Sequence, residues 1–248
     1  LDEFGDFRGL QSFFQPETHG FSIIGNILGV LLAGLLASWL LGHKPGSVLD
    51  SAAAPCALLI ALTRLIEPLN GQGYGEPVSS PILSFFPLSL ANDWGERLLS
   101  VSFIEFVLAL ALFAFLMIGL KRLERPGMKA AAFLVLFTLS QILPESWRRD
   151  DVLFIFIFAR VTQVGYAALF AGTAAYIGVL AVRRGGVSRA LLCEWLLTAL
   201  GLLVCMGCEF ALDKTNLPTL LVYLVMLFTL LGMAFITWRR MLKVGGGK

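Results

Sequence analysis

The 248-residue chain is 57% hydrophobic and 15% charged, with a mean hydropathy of +0.81 and a formal charge of +2. Soluble domains carry roughly 25% charged residues, so this composition places the chain in a membrane. The small net charge, without a basic run or a zinc-ligand spacing, excludes a nucleic-acid partner.

Residues 1–19 are polar and aromatic and lack the basic-then-apolar order of a signal peptide. They read as an extracytoplasmic segment of a longer protein. Apolar runs then predict seven spans, at 20–42, 48–69, 98–120, 128–147, 152–182, 188–211 and 217–238. Each is long enough for a hydrocarbon core of about 30 Å at about 1.5 Å per residue. The expected fold is an all-α bundle of seven transmembrane helices.

Asp50, Pro55, Arg64 and Glu67 interrupt the second span. The length of the fifth predicts an interfacial turn or a strong tilt at its start. The longest connection, 70–97, is rich in Gly, Pro and aromatics and is expected to fold as a cap, with Phe85, Phe86 and Trp94 at headgroup level. Cys56, Cys193, Cys205 and Cys208 all lie in apolar stretches, where cysteine packs as a small apolar residue. The CxxC spacing of Cys205 and Cys208 has no second ligand pair beside it.

Basic residues set the orientation. With the N-terminus outside, the inner loops hold Lys44, then Lys121, Arg122, Arg125 and Lys129, then Arg183, Arg184 and Arg189, then Arg239, Arg240, Lys243 and Lys248. Acidic residues such as Glu17, Glu76, Asp93, Glu96, Asp150, Asp151 and Asp213 collect on the other side. The C-terminus is then cytoplasmic.

This orientation brings nearly all intramembrane polar groups to one depth. His19 and Asn26 fall at the outer end of the first span, and Arg64, Glu67 and Asn70 at the outer end of the second. Glu105 lies two turns into the third. Gln141 and Glu145 end the fourth, before Arg148, while Arg160 and Gln163 enter the fifth. Arg64 and Glu67 share a helix face at a spacing of three, as do Gln141 and Glu145 at four. Intramembrane charges face a cavity or a partner, and arginines at headgroup depth bind phosphate through planar paired hydrogen bonds. An outward-opening chamber for a phospholipid headgroup is expected, with His19 as a proton acceptor at its mouth. Glu105 and Arg160 are expected to complete charge pairs across the bundle. Structural ion pairing between helices is the simpler alternative for any one of these residues.

The stretch from Arg64 to Pro77, RLIEPLNGQGYGEP, resembles the signature G-R-x-G-N-F-I-N-G-E-x-[YW]-G-R of prolipoprotein diacylglyceryl transferases. Arg64, Leu65, Asn70, Gly71, Tyr74 and Gly75 match in register. Thr18-His19-Gly20 through Gly25 resembles the family's H-G-G-L-I-G segment, and Phe103-Ile-Glu105 its L-Y-E. Gln141 to Asp150 resembles R-F-x-x-E-x-x-R-x-D, and Thr162-Gln163 the S-M-G-Q segment. The resemblance covers residues 18–184. It implies two spans ahead of Leu1, a family core over 20–184, and an added hairpin and tail over 185–248.

The same resemblance implies phosphatidylglycerol and a prolipoprotein signal segment as partners, no cofactor, and a site on the outer side of the bacterial cytoplasmic membrane. His19, Arg64, Glu67 and Gln72 fall at its catalytic positions. Asn26, Asn70, Gly71, Tyr74, Gly75, Glu105, Gln141, Glu145, Arg148 and Arg160 fall around its substrate. The chain departs from the family pattern where Asn becomes Glu67, Glu becomes Gln72, the closing Arg becomes Glu76 and a second Arg becomes Gln141. Leu99-Ser100 replaces a histidine-proline pair. These losses of positive charge keep two other functions in view: an inactive relative that binds lipid or a lipoprotein signal segment, and a small transporter.

Overall fold

A computed structural model describes residues 23–92, 94–120, 123–149, 154–155 and 159–246. Its described residues form seven helices long and apolar enough to cross a membrane. These are α1 (Ile23–Leu41), α2 (Pro45–Ile66), α3 (Val101–Ile118), α4 (Met128–Trp147), α5 (Val161–Gly185), α6 (Arg189–Lys214) and α7 (Thr219–Gly245). The protein is an all-α polytopic membrane protein, as its composition predicts.

The central helix is α4, which packs against α2, α3, α5 and α7. Its Ala130, Ala131 and Ala132 are buried, and such small side chains let neighbouring backbones approach closely where lipid offers no hydrophobic drive. Peripheral α1 lies on α2 and touches α5, while α6 leans chiefly on α7.

Helix ends inside a membrane need partners for their unpaired amides. Asp50 of α2 supplies them to α4 across the bundle: Oδ2 accepts from the Gly127 amide and Oδ1 from that of Ala130, each at 2.8 Å. This accounts for the acidic interruption in the second span. Ser188 caps α6 by accepting the Leu191 amide at 3.2 Å.

Two expected span starts move. Residues 98–100, read as the beginning of the third span, belong to the strand β3 (Arg97–Ser100). It lies between β1 (Tyr74–Pro77) and β2 (Ser89–Ala91) in an antiparallel sheet, order β1-β3-β2. The 70–97 connection is thus a folded cap built on a small sheet, with Phe86 and Trp94 strongly exposed. The fifth helix begins at Val161, not at 152, after a short hairpin of β4 (Phe154–Ile155) and β5 (Ala159–Arg160). Strand pairing, across the cap in the first case and within a local hairpin in the second, overrides apolar character that locally reads as helix.

Candidate functional site: a buried ring of arginines and glutamates

The C-terminal ends of α2, α4 and α6 and the N-terminal ends of α3 and α5 carry a polar cluster. Its centre is a closed four-member ring. Arg64 Nη1 meets Glu67 Oε1 at 2.5 Å, and Arg64 Nη2 meets Glu105 Oε1 at 3.2 Å. Arg148 closes the circuit, with Nη1 at 2.7 Å from Glu105 Oε2 and Nη2 at 3.0 Å from Glu67 Oε2. Charges alternate around the ring, so each carboxylate bridges two guanidinium groups.

Burial gives the two glutamates different places. Glu105 is fully buried, one turn into α3, whereas the Glu67 side chain keeps 12% of its exposure. Glu105 is therefore the floor of the ring and Glu67 its more open side. Taking ions from water costs several kcal/mol each, and only close pairing on both sides offsets that penalty. Gln141, also fully buried, accepts from Arg64 Nη2 at 3.2 Å through its carbonyl oxygen. Among the described residues, Arg64 Nε and Gln141 Nε2 have no hydrogen-bond partner. The ring thus has its charge answered while two buried donors beside it remain open to an acceptor oxygen.

The loop after α2 is shaped to this ring. A 3-10 turn over Glu67–Asn70 ends at Gly71, with φ 72°. Gly75 in β1 runs so close to α4 that an added Cβ would lie 2.9 Å from the Trp147 carbonyl oxygen and 2.7 Å from Val101 Cγ2. Tyr74 fixes the same junction, its carbonyl accepting from the Arg149 amide at 2.8 Å and its hydroxyl donating to the Pro68 carbonyl at 3.3 Å. The signature glycine and tyrosine therefore hold the end of α4, from which Arg148 enters the ring.

A second network lies beside the first. The Arg160 guanidinium donates through Nη2 to the Arg148 carbonyl, and its Nη1 lies 4.0 Å from Glu145 Oε1. Thr162 donates to Glu145 Oε1 at 2.7 Å. Gln163 accepts the Arg160 amide at 3.2 Å and donates to Ser146 Oγ at 3.1 Å and to Glu209 Oε1 at 2.7 Å.

The structure brings together Arg64, Glu67, Glu105, Gln141 and Arg148, with Glu145 and Arg160 next to them. Glu105 and Arg160 each complete charge pairs across the bundle, Glu105 with Arg64 and Arg148 and Arg160 with Glu145. Asn26 is exposed on α1, and Asn70 and Gln72 are exposed on the loop, outside the ring. Gln72 touches the site through its backbone, donating to the Glu67 carbonyl at 3.2 Å. His19 lies outside the described residues. Sequence reasoning missed Ser146 and left Glu209 unplaced; neither has a helical-spacing partner of opposite charge to reveal it. Among the described residues, no group of three or more His, Cys, Asp or Glu is arranged to hold a metal.

A polytopic helical membrane protein with arginines and carboxylates interlocked at one end of its bundle is the class that fold and site define. The family model for prolipoprotein diacylglyceryl transferase matches residues 6–181. The chain belongs to that family. It is 30% identical over 147 residues to a phosphatidylglycerol–prolipoprotein diacylglyceryl transferase of Brucella anthropi, covering 59% of this chain and 52% of the relative. A namesake from Azospirillum brasilense is 31% identical over 150 residues, covering 58% and 54%. One from Brucella ovis is 28% identical over 153 residues, covering 62% and 50%. The chain spans about half the length of the curated relatives it matches. No solved structure matches it.

Proposed function

We propose that the protein transfers a diacylglyceryl group from phosphatidylglycerol to the lipobox cysteine of a prolipoprotein. The observation that carries this reading is the Arg64–Glu67–Arg148–Glu105 ring, which joins the signature-like stretch, the L-Y-E-like segment and the late acidic-basic segment. The site faces the extracytoplasmic side of a bacterial cytoplasmic membrane, where the acceptor's signal segment and the donor lipid meet.

The chemistry sets two tasks. The acceptor thiol gives up its proton, because the thiolate is the nucleophile. His19 takes that proton. The sulfur then attacks the glycerol carbon that bears the phosphate; a C–S bond forms, the C–O bond breaks, and glycerol phosphate leaves with the bonding pair. Donors already in place stabilise the charge that grows on the leaving oxygens. Arg64 holds the phosphate, using donor capacity that its carboxylate partners leave open. Glu105 and Glu145 orient the cations, Gln141 offers its amide nitrogen to an acceptor oxygen, and Asn70, Gly71 and Gly75 shape the loop above.

The test is reconstitution of the full-length protein with phosphatidylglycerol and a lipobox peptide, following glycerol phosphate release and peptide mass. Release with a diacylglyceryl mass gain, lost in Arg64→Ala, is the expected result. No release from folded protein, or undiminished turnover by Arg64→Ala, overturns it.

A further inference from the structure

We propose that Glu209, on the helix beyond the family match, is a positioning residue that holds Arg148 in the ion ring through Gln163 and Arg160. The family match ends at residue 181, and α6 begins at Arg189, so nothing assigns the α6–α7 hairpin a part in the site. A carboxylate within a membrane-spanning helix needs partners that justify its burial. Glu209 is half-buried, and its Oε1 accepts from Gln163 Nε2 at 2.7 Å and from the Ser146 hydroxyl.

That contact, the shortest the Gln163 amide nitrogen makes, reinforces the way the amide faces, which the Ile142 carbonyl also favours by accepting from the same nitrogen at 3.4 Å. An amide has a donating and an accepting end, and a carboxylate can only accept. With its nitrogen held by Glu209, Gln163 must turn its oxygen the other way, where it accepts the Arg160 amide at 3.2 Å. This bond fixes the first turn of α5 and the backbone of Arg160. The Arg160 side chain in turn donates to the Arg148 carbonyl.

Arg148 is the residue whose placement matters. It ends α4 in an extended conformation, φ −68° and ψ 143°, so no helical hydrogen bond fixes its carbonyl. Its amide is held by the Glu145 carbonyl at 3.3 Å, and the next amide, of Arg149, by Tyr74. Arg160 supplies the hold on the carbonyl side, and Glu209 is the far anchor of that hold. Functional side chains keep their aim only when the shell behind them is fixed. Simple glue between helices would need only the Ser146 contact. The hairpin's other intramembrane acid, Glu194, does serve as such glue: it accepts from Arg240 Nε at 2.5 Å, entirely within the hairpin and at its opposite end.

The kinetic part of this proposal rests on the transferase reading; the structural part does not. The experiment compares wild type, Glu209→Ala, Glu209→Gln and Glu194→Ala as full-length proteins in phosphatidylglycerol-containing membranes. It measures kcat and KM for transfer and hydrogen exchange across residues 145–149 and 160–166. Glu209→Ala is expected to lower kcat/KM by about tenfold or more and to speed exchange in both segments. Glu209→Gln keeps an acceptor for Gln163 and is expected to stay within about threefold of wild type. Glu194→Ala changes neither readout. Unchanged exchange in Glu209→Ala, equal exchange in Glu194→Ala, or equal kinetic damage in Glu209→Gln overturns the relay. Should wild type show no transfer, the transferase reading falls alone, and the exchange data still decide the role of Glu209.

Discussion

Glu67 and Arg148 lie 81 residues apart in the chain and meet at 3.0 Å, where Glu67 occupies one edge of the Arg148 guanidinium. The same carboxylate holds Arg64 at 2.5 Å. An incoming phosphate and this carboxylate seek the same donors.

Replacing Glu67 with Gln weakens that competition while keeping the side-chain volume. Gln still accepts from the same donors but without charge, and weakening a charge-assisted hydrogen bond to a neutral one is worth about 1 kcal/mol, roughly fivefold in affinity. Glu67→Gln is expected to bind phosphatidylglycerol about fivefold more tightly, read as retained lipid in a native mass-spectrometric titration. Unchanged or weaker retention would remove Glu67 from competition for the arginines.

The floor of the ring behaves differently. Glu105 is fully buried and bridges both arginines, so Glu105→Ala leaves two buried guanidinium groups sharing one counter-ion. Breaking a buried pair by removing one partner costs about 3–5 kcal/mol. Glu105→Ala should therefore unfold at a clearly lower temperature in detergent than Glu67→Gln. Equal melting temperatures would show that Glu105 contributes no more to folding than Glu67 does.

Asp50 tests the other end of the bundle. Its two oxygens each accept an α4 amide at 2.8 Å, far from the ring. Loss of a helix cap costs about 0.5–2 kcal/mol, and two amides held by one carboxylate put this one at the upper end. Asp50→Ala is expected to lower thermal stability by about 2 kcal/mol while leaving lipid retention per folded molecule unchanged. A loss of retention at full stability would place Asp50 in the site instead.

How far these features were legible follows from their range along the chain. The spans were, because apolar runs need no tertiary knowledge. Arg64 with Glu67 was, because a spacing of three puts both on one face. The partner of each arginine was not, since Glu67 with Arg148 and Glu105 with Arg64 join separate helices at distances set only by packing. The start of the third span failed for a related reason: Leu98 and Leu99 pair with β1 and β2, and nothing local distinguishes an apolar strand from an apolar helix turn. Glu209 stayed unplaced because its partners, Ser146 and Gln163, are uncharged and lie on two other helices.

Gln141 carries the last prediction, because it stands where the family has an arginine. It is fully buried and accepts from Arg64 at 3.2 Å. An arginine there would set a third guanidinium against Arg64 inside a ring whose two positive charges are already matched by two negative ones. Buried charge without a counter-ion destabilises by about 3 kcal/mol or more. Glu67 is the ring's more exposed anion, and it shares Arg64 with Gln141. Gln141→Arg alone is therefore expected to cost less than the same substitution made with Glu67→Asn, and the double variant to be less stable than the two single losses predict. A thermal-unfolding cycle reads this directly: additive losses would mean that Glu67 and position 141 changed independently, and a double variant more stable than the sum would mean that the family's own charge pattern fits this bundle better than the ring it holds.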